Sequence, residues 1–284
     1  MRAFRAKYTL AELRSSHEGV GDALDGLQQE GIDARTVRTA IARNRVEVGV
    51  RNLSPAEART IERRCGAAVD AVPLRGAATT SRAFSYPPLK GGLTIDSPQG
   101  TTVYRCTSAF VASGADNDYL LTAGHCGPVS SGWLHGPVFI GTMTRNAFFN
   151  GSSADAARIQ ISPTDRSNLV FISDSNLRPI RGVNFADAVG SSVCMSANTS
   201  GFVCGTITST DFTADYGSVV IHNQRTASFP SQPGDSGGPI FSGNTAHGIV
   251  SGNVTYSDGN QDAIYSHIGN AQQALGVSVR TCCS

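Results

Sequence analysis

The sequence Gly-Asp-Ser-Gly-Gly-Pro at residues 234–239 decides how the rest of this chain is interpreted. Ser236 stands between glycines, which permit the backbone conformations of a tight loop that exposes a hydroxyl group. Such a loop can also place the N–H groups of Gly234 and Ser236 side by side, as an oxyanion hole requires. This stretch therefore indicates either a serine nucleophile with its oxyanion hole or an ordinary turn rich in small residues.

A second stretch, Leu-Leu-Thr-Ala-Gly-His-Cys at residues 120–126, favours the nucleophile. A serine hydroxyl needs a general base within hydrogen-bond reach, and the imidazole of His125 has a suitable pKa. Together the two stretches resemble the chymotrypsin-like serine proteases, and in particular the bacterial streptogrisin and α-lytic protease branch. The resemblance covers roughly residues 90–284. It implies a secreted serine endopeptidase that acts on proteins or peptides through an acyl-enzyme, with no cofactor and no metal.

The third catalytic group of this family is a carboxylate that holds the imidazole and stabilises its cation. Asp155 is our candidate because it follows His125 by thirty residues and lies among alanines just before a predicted strand. This presentation is similar to that in bacterial relatives. Asp165 is the alternative, although its Pro-Thr-Asp context is typical of a surface turn. The predicted catalytic residues are thus His125, Asp155 and Ser236.

The charge distribution divides the chain into two parts. Residues 1–90 contain 15 Lys/Arg and 10 Asp/Glu, whereas residues 91–284 contain 8 and 12, with neither Lys nor Glu. Opposite net charges favour docking of the two parts in a salt-dependent way. No run of eighteen apolar residues predicts a membrane span, and nothing indicates a nucleic-acid partner. We expect a monomer.

Residues 1–80 are predicted to form a small α/β domain. Thr9 and Ser54 are each followed three residues later by a glutamate, the pattern of a helix N-terminus. The predicted elements are a helix from Thr9 to Gly31, a helix from Asp33 through Ile41, a strand at 46–50, a helix from Ser54 to Gly66 and a strand at 69–74. The domain is similar to prosegments of the same bacterial branch, which assist folding and inhibit the protease. A generic binding domain is the alternative.

Residues 81–91 are predicted to be an exposed linker because small, polar, proline and glycine residues dominate them. We expect maturation between Ser81 and Gly91, with Phe84–Ser85 as a candidate bond. The first ten residues lack the apolar core of a secretory signal, so a signal is expected upstream of Met1.

Residues 92–284 are the predicted protease domain. Short alternating runs separated by turns indicate an all-β barrel or sandwich. The family resemblance implies two six-stranded antiparallel β-barrels with the active site between them. The segment from Ala263 to Leu275 is predicted to be a C-terminal helix. The fold class is therefore mainly β, preceded by a small α/β prodomain.

The resemblance also implies two disulfides, Cys106–Cys126 and Cys194–Cys204, because both spacings match those of bacterial relatives. Disulfides indicate an oxidising compartment, which agrees with secretion. Three further cysteines have no predicted partner: Cys65, Cys282 and Cys283. The chain has no Cys-x-x-Cys motif that would favour a metal site instead.

One position departs from the family pattern. Relatives often carry an arginine directly after the first cysteine of the second disulfide, where it pairs with the aspartate before the nucleophile. This chain has Met195 there, so Asp235 needs another partner. Arg178, Arg225 and an N-terminus freed by processing are the alternatives.

The segment Ser251-Gly252-Asn253 resembles the one that pairs with an extended substrate by backbone hydrogen bonds. Ser251 is expected to support Asp155. No acidic residue directly precedes the nucleophile loop and Val250 replaces a histidine of glutamate-selective relatives, so an apolar specificity pocket is predicted. The order His before Ser disfavours an esterase of the Ser-first type. A catalytically silent binding protein with the same fold is the remaining alternative.

Overall fold

The computed structural model describes residues 6–74 and 82–281. The chain forms two compact units, Met1–Thr79 and Thr80–Ser284, each with its own core. The first unit is an α/β module and the second is mainly β. The two are described separately below.

The first unit contains two helices and three strands: α1 (Leu10–Gln29), β1 (Ala34–Ala40), β2 (Arg45–Val50), α2 (Pro55–Cys65) and β3 (Val69–Pro73). The sheet order is β1-β2-β3, with β1 antiparallel and β3 parallel to β2. The buried side chains of α1, Leu13, Val20 and Leu27, pack in one core with those of β2. The connection from β2 to β3 through α2 is a parallel strand–helix–strand crossover.

Both predicted helix starts in this unit are confirmed. The Thr9 hydroxyl accepts a hydrogen bond from the Glu12 N–H at 3.2 Å, and the Glu12 carboxylate accepts one from the Thr9 N–H at 2.7 Å. Ser54 and Glu57 make the same reciprocal pair before α2. Each pair satisfies donors that a helix N-terminus otherwise leaves free.

The predicted helix from Asp33 through Ile41 is wrong, because residues 34–40 form β1. Three of these seven residues, Thr36, Val37 and Thr39, are β-branched and favour a strand. The antiparallel pairing with β2 satisfies the backbone, and Arg38 donates to the buried Glu47 carboxylate at 2.6 Å. Strand pairing therefore overrode the weak helical spacing.

The second unit contains seventeen of the strands and one helix: β4 (Thr94–Gln99), β5 (Thr102–Thr107), β6 (Val111–Ser113), β7 (Asp118–Thr122), β8 (Gly132–His135), β9 (Val138–Asn146), β10 (Ala157–Ile161), β11 (Leu169–Ser173), β12 (Asn176–Pro179), β13 (Gly182–Val183), β14 (Ser192–Ala197), β15 (Gly201–Asp215), β16 (Val220–Ala227), β17 (Pro239–Ser242), β18 (Thr245–Thr255), β19 (Gln261–His267), α3 (Ile268–Leu275) and β20 (Ser278–Val279).

These strands form two large sheets and a hairpin. The first sheet has the order β20-β6-β7-β10-β9-β8-β4-β5, the second has the order β13-β18-β17-β14-β15-β16-β19, and β11 pairs with β12. An additional pairing of β18 with β19 closes six strands of the second sheet into a ring. The predicted mainly β fold is confirmed. The first sheet shows no such closure within the described residues, so six strands per barrel stays a prediction.

The predicted helix from Ala263 to Leu275 is partly wrong. Residues 263–267 belong to β19, which pairs with both β16 and β18, and the helix begins only at Ile268. Ala263, Ile264 and Tyr265 are all buried. Such a continuous apolar run suits a strand covered on both faces as well as a helix.

The segment predicted to be an exposed linker packs onto the second unit from Arg82 onward. Leu89 is fully buried in the core beneath the first sheet, and Lys90 is only 3% exposed. The Tyr86 hydroxyl donates to Asp165 at 2.7 Å. The expectation of an exposed chain is therefore wrong for Leu89 and Lys90.

Candidate active site

His125 lies on a short 3-10 turn, Gly124–Cys126, directly after β7. The disulfide Cys106–Cys126 joins this turn to β5, and its Cα atoms are 6.3 Å apart. The imidazole keeps 31% of its side-chain surface exposed. The predicted disulfide is thus present and fixes the turn while one edge of the ring remains accessible.

Asp155 is completely buried and faces this turn from the connection between β9 and β10. Its Oδ2 lies 2.6 Å from His125 Nδ1, and its Oδ1 accepts hydrogen bonds from the N–H groups of Gly124 at 2.7 Å and His125 at 3.0 Å. The Ser251 hydroxyl donates to Oδ2 at 2.6 Å. These donors hold the carboxylate in place and orient the ring so that Nδ1–H points toward it.

Asp165, the alternative carboxylate, lies elsewhere. It sits on the turn Pro163–Asp165, where it accepts the hydrogen bond from Tyr86. Asp155, in contrast, is fixed through its backbone, because its N–H donates to the Ser266 hydroxyl at 2.8 Å. The structure therefore brings Asp155, and not Asp165, to the His125 ring.

The pKa of His125 results from two opposing effects. Burial alone lowers the pKa of the imidazole, since desolvation disfavours its cation. The charge of Asp155 and its hydrogen bond to the ring outweigh this effect, and the pKa is raised above the ordinary histidine value. The Asp155 charge thus stabilises the imidazolium once the ring accepts a proton.

The loop that carries Ser236 lies against the end of β7. Gly234 and Gly237 have φ values of +98° and +86°, which glycine adopts without strain. A Cβ atom at Gly237 would collide with the Thr122 hydroxyl and the Thr107 carbonyl. The Thr107 N–H also donates to the Ser236 carbonyl at 2.8 Å. Because Thr107 follows Cys106, the same disulfide region anchors both His125 and Ser236.

Two backbone donors in this loop remain available. The N–H groups of Asp235, Gly237 and Gly238 bond to carbonyl groups at 2.8–2.9 Å. In contrast, the N–H groups of Gly234 and Ser236 have no hydrogen-bond partner within residues 6–74 and 82–281. These two donors are those that the sequence predicts for an oxyanion hole.

No hydrogen bond links the His125 ring to the Ser236 hydroxyl in the described part of the chain. Such contacts are often long in enzymes without substrate and shorten only in the reacting complex. Gly237 nevertheless packs closely against Thr122, so the backbone of the Ser236 loop lies against the end of β7, just before the turn that carries His125.

Asp235 is also completely buried, and it accepts four hydrogen bonds. The N–H groups of Thr199 and Ser200 donate to Oδ1 at 2.8 and 2.9 Å, while the Ser200 hydroxyl and the Gln232 N–H donate to Oδ2. The predicted disulfide Cys194–Cys204 is present. It joins the paired strands β14 and β15, and the turn between these strands contains Thr199 and Ser200. Asp235 is therefore held by dipoles rather than by a direct ion pair among the described residues.

Neither arginine considered from the sequence pairs with Asp235 in this structure. Arg225 Nε instead lies 4.0 Å from the buried Asp187 carboxylate. Arg178 Nε is buried without a hydrogen-bond partner among the described residues. Cys65 has no disulfide partner there, and Cys282 and Cys283 lie outside the described residues.

The predicted substrate-pairing segment, Ser251-Gly252-Asn253, lies in β18 beside the nucleophile loop. Val250 is bonded to this loop in both directions, with Gly237 N–H to Val250 O at 2.8 Å and Val250 N–H to Gly238 O at 2.9 Å. The Ser251 side chain reaches Asp155, as expected. Asn253 is exposed.

Sequence reasoning missed Tyr216 and Phe148. The Tyr216 hydroxyl lies 2.6 Å from Ser251 Oγ, and its ring centroid is 5.9 Å from that of Phe148. Phe148 in turn lies 5.7 Å from the His125 ring. Burial, reinforced by the Asp155 charge and opposed by the Ser251 hydrogen bond, raises the pKa of Tyr216 to about 12. Tyr216 stands in an ordinary Asp-Tyr-Gly turn, so no motif indicated it.

One cluster of possible metal ligands occurs among the described residues. Ligand atoms of Cys106, His125 and Cys126 lie within 4.8 Å of one another. The two sulfurs form the disulfide, however, and only a thiolate is an effective metal ligand. This cluster therefore reflects the packing of the imidazole beside the disulfide. None of the helices in the described ranges is long and apolar enough to span a membrane.

Comparison with known proteins decides the family. Residues 92–275 match the family model described as Trypsin, which covers more than half of the chain. The chain belongs to the trypsin family. The fold of this trypsin-family chain is thus that of the chymotrypsin-like serine proteases, as its two motifs predict.

Several relatives are bacterial. Streptogrisin-A of Streptomyces griseus is 31% identical over 177 residues, which cover 62% of this chain and 57% of that protein. Streptogrisin-C of the same organism is 27% identical over 281 residues, which cover 93% of this chain and 56% of that protein. The chain thus spans little more than half the length of these two relatives.

A solved structure of similar fold is the Nocardiopsis protease NAPase. It has a TM-score of 0.59 and 30% identity, and the match covers 68% of this chain and 100% of that one. The trypsin-family chain therefore has serine protease relatives, and its family is one of hydrolases.

Proposed function

We propose that this chain is the precursor of a secreted serine endopeptidase with His125, Asp155 and Ser236 as its catalytic residues. The observation that carries the proposal is the buried Asp155 carboxylate 2.6 Å from His125 Nδ1. This contact fixes the imidazole tautomer whose Nε2 is free to accept a proton. The packing of the Ser236 loop against the end of β7, just before the His125 turn, supports the serine hydroxyl as the source of that proton.

The proposed reaction begins when Ser236 Oγ attacks the substrate carbonyl carbon and its proton passes to His125 Nε2. The negative charge of the tetrahedral intermediate falls on the carbonyl oxygen, where the free N–H groups of Gly234 and Ser236 can receive it. The imidazolium returns the proton to the leaving amine, which breaks the C–N bond and leaves an acyl-enzyme. Water, deprotonated by the same imidazole, then releases the acid and restores the serine.

An extended peptide is the proposed substrate, and residues 251–253 of β18 are its proposed backbone partners. The preference for an apolar side chain next to the cleaved bond is supported by the absence of an acidic residue from Phe229-Pro230-Ser231-Gln232-Pro233.

The first unit is proposed to be a prosegment that assists folding and inhibits the protease. The similarity to Streptogrisin-C, whose 93% coverage extends well into residues 1–80, supports an association of this unit with the protease domain. A physical reason also exists. Sheets that join distant parts of a chain fold slowly, and an additional domain can accelerate this step.

Labelling with a fluorophosphonate tests the proposed catalytic serine. We expect one adduct per molecule of wild type, located by peptide mapping to the fragment with Ser236. Ser236→Ala should give no adduct, whereas Ser257→Ala, which alters an exposed turn serine, should react like wild type. An unreactive wild type would instead favour a catalytically silent binding protein.

A panel of peptide substrates tests the proposed specificity. Substrates that differ only in the residue before the cleaved bond should give kcat/KM values at least about tenfold higher for Phe or Leu than for Lys or Glu. A preference for Lys or Glu would contradict the apolar pocket without affecting the proposed nucleophile.

A further inference from the structure

Arg82 is the first described residue of the second unit, and its guanidinium is bound within the fold. Nη1 donates to the Gly92 carbonyl and to Ser196 Oγ, both at 2.8 Å, and Nη2 donates to the Ile172 carbonyl at 3.2 Å. The guanidinium also lies 5.0 Å from the ring centroid of Phe171. A planar donor so fully bonded is positioned by the fold, unlike the side chain of a loose linker.

The charge of the Arg82 guanidinium interacts with that of Asp235 in the nucleophile loop. Burial lowers the pKa of Arg82 to about 10, while the charges of Asp235 and Asp174 raise it. The guanidinium therefore stays protonated at neutral pH. None of the salt bridges within the described ranges involves Asp235, so the interaction of its charge with Arg82 is a longer-range one.

Those intervening residues form a short path. Ser196, which accepts from Arg82, is in β14, and the strand leads through Asn198 to the Thr199 and Ser200 N–H groups that hold Asp235. The Ser196 carbonyl also lies 3.2 Å from the point where a Cβ atom on Gly238 would stand. The Arg82–Ser196 contact thus supports the back of the loop that carries Ser236.

The backbone around Arg82 is equally fixed. Its carbonyl accepts from the Thr94 N–H at 2.9 Å, at the start of β4. A Cβ atom on Gly92 would lie 2.9 Å from Arg82 Nη1 and 3.1 Å from Ser196 Oγ. Gly92 has a φ of +79°, and a Cβ atom there would also lie 2.9 Å from the Phe171 carbonyl, so glycine suits this position where the guanidinium passes close to the chain.

We propose that Arg82 is a positioning residue of the active site, and that the mature enzyme keeps it because cleavage falls on its N-terminal side. The proposal rests on the proposed protease function. It supplies the buried Asp235 with a compensating charge from the segment before β4. Met195 in β14, the position at which relatives often carry an arginine, is apolar and fully buried and supplies none. It also excludes the Phe84–Ser85 bond as the site of productive maturation.

The N-terminus of the active species gives the first test. Wild-type protein is treated with the fluorophosphonate, and the mass and N-terminal sequence of the labelled species are determined. We expect the labelled species to begin at Arg82 or earlier. A fully reactive species that begins at Ala83 or later would overturn the proposal while leaving the proposed function intact.

Substitution of Arg82 gives the second test, with variant precursors matured by a trace of wild-type enzyme. We expect Arg82→Ala to lower kcat about tenfold or more with KM nearly unchanged, because the oxyanion donors shift while the substrate strand does not. Arg82→Lys should lose less, and millimolar guanidinium chloride should restore part of the Arg82→Ala activity. Arg105→Ala is the matched control, since the Arg105 side chain is exposed and, among the residues that the structure describes, bonds only to Asp96.

Each outcome of this second test has one meaning. Wild-type kcat in Arg82→Ala would overturn the proposal, as would a loss that follows only the unfolded fraction and is not restored by guanidinium. If Arg82→Ala does not fold, the graded response of Arg82→Lys decides, and unchanged kcat in that variant would count against a role of the guanidinium geometry. A wild type that does not react with the phosphonate would overturn the proposed function itself, and this proposal with it.

Discussion

Two fully buried aspartates, Asp155 facing the His125 turn and Asp235 within the nucleophile loop, are bonded in nearly the same way. In each, Oδ1 accepts two successive backbone N–H groups, and Oδ2 accepts a serine hydroxyl and one more N–H. The last donor differs. It is the ionisable His125 ring at Asp155 and the Gln232 backbone at Asp235.

This difference in the last donor corresponds to two different roles of the two buried carboxylates. Hydrogen bonds from N–H and O–H groups hold both carboxylates in place. At Asp155 the charge raises the pKa of the base. At Asp235 the charge instead organises the loop whose free N–H groups belong to Gly234 and Ser236.

The largest effect is expected from Asp155→Asn. Asparagine favours the wrong imidazole tautomer and cannot stabilise the imidazolium, so kcat should fall about 10⁴-fold at neutral pH, as for triads of this type. Steady-state kinetics measure this loss. Asp165→Asn is the control and should stay near wild type; a larger loss there would contradict the assignment of Asp155.

A smaller loss is expected from Asp235→Asn. The amide oxygen of asparagine can accept the hydrogen bonds of one carboxylate oxygen. Its NH₂ group, however, cannot accept a hydrogen bond and would face the N–H or O–H donors that bond to the other oxygen. The oxyanion donors should shift, and kcat should fall about 10²–10³-fold, the range found when one such donor is removed. Asp258→Asn, in an exposed turn, serves as the control. Equal kinetics for the two variants would show that Asp235 does not organise the loop.

The pH profile distinguishes the two aspartates further. The base must be neutral, so kcat/KM should fall tenfold per unit as the pH drops below the His125 pKa, which lies above the ordinary value of about 6.5. Asp235→Asn should keep this midpoint. Asp155→Asn should move it to lower pH, because both effects that raise the pKa are lost. A wild-type midpoint clearly below 6.5 would contradict the role of Asp155.

The smallest effect is expected from Tyr216→Phe. This change removes one hydrogen bond to Ser251, which in turn bonds Asp155. A net contribution of about 0.5–1.5 kcal/mol corresponds to a decrease of about two- to twelvefold in kcat/KM. Tyr256→Phe removes a weaker contact at 3.4 Å and should have no effect. A loss as large as that of Asp235→Asn would show that Tyr216 contacts the reacting groups directly.

The sequence predicted the parts of the site that lie in short motifs. Ser236 and His125 stand in such motifs, and Asp155 was placed by its spacing and small neighbours. Asp235's actual partners were not predictable, because Thr199 and Ser200 lie more than thirty residues away and donate mainly through backbone N–H groups, which no sequence motif marks. Arg82 was missed for a similar reason, since its contact with Ser196 spans 114 residues.

The errors in the fold have one physical cause. Residues 34–40 and 263–267 carry patterns that suit a helix or a strand, and pairing with distant strands decided between them. The helix starts at Thr9 and Ser54 were predictable because their hydrogen bonds join residues only three apart.

Intact-mass analysis of wild type beside Ser236→Ala, both produced with an export signal, tests the central claim most directly. If His125, Asp155 and Ser236 form a working protease, wild type should lose its first unit while Ser236→Ala keeps all 284 residues. If both proteins remain whole, or both are shortened alike, the chain does not mature itself through Ser236.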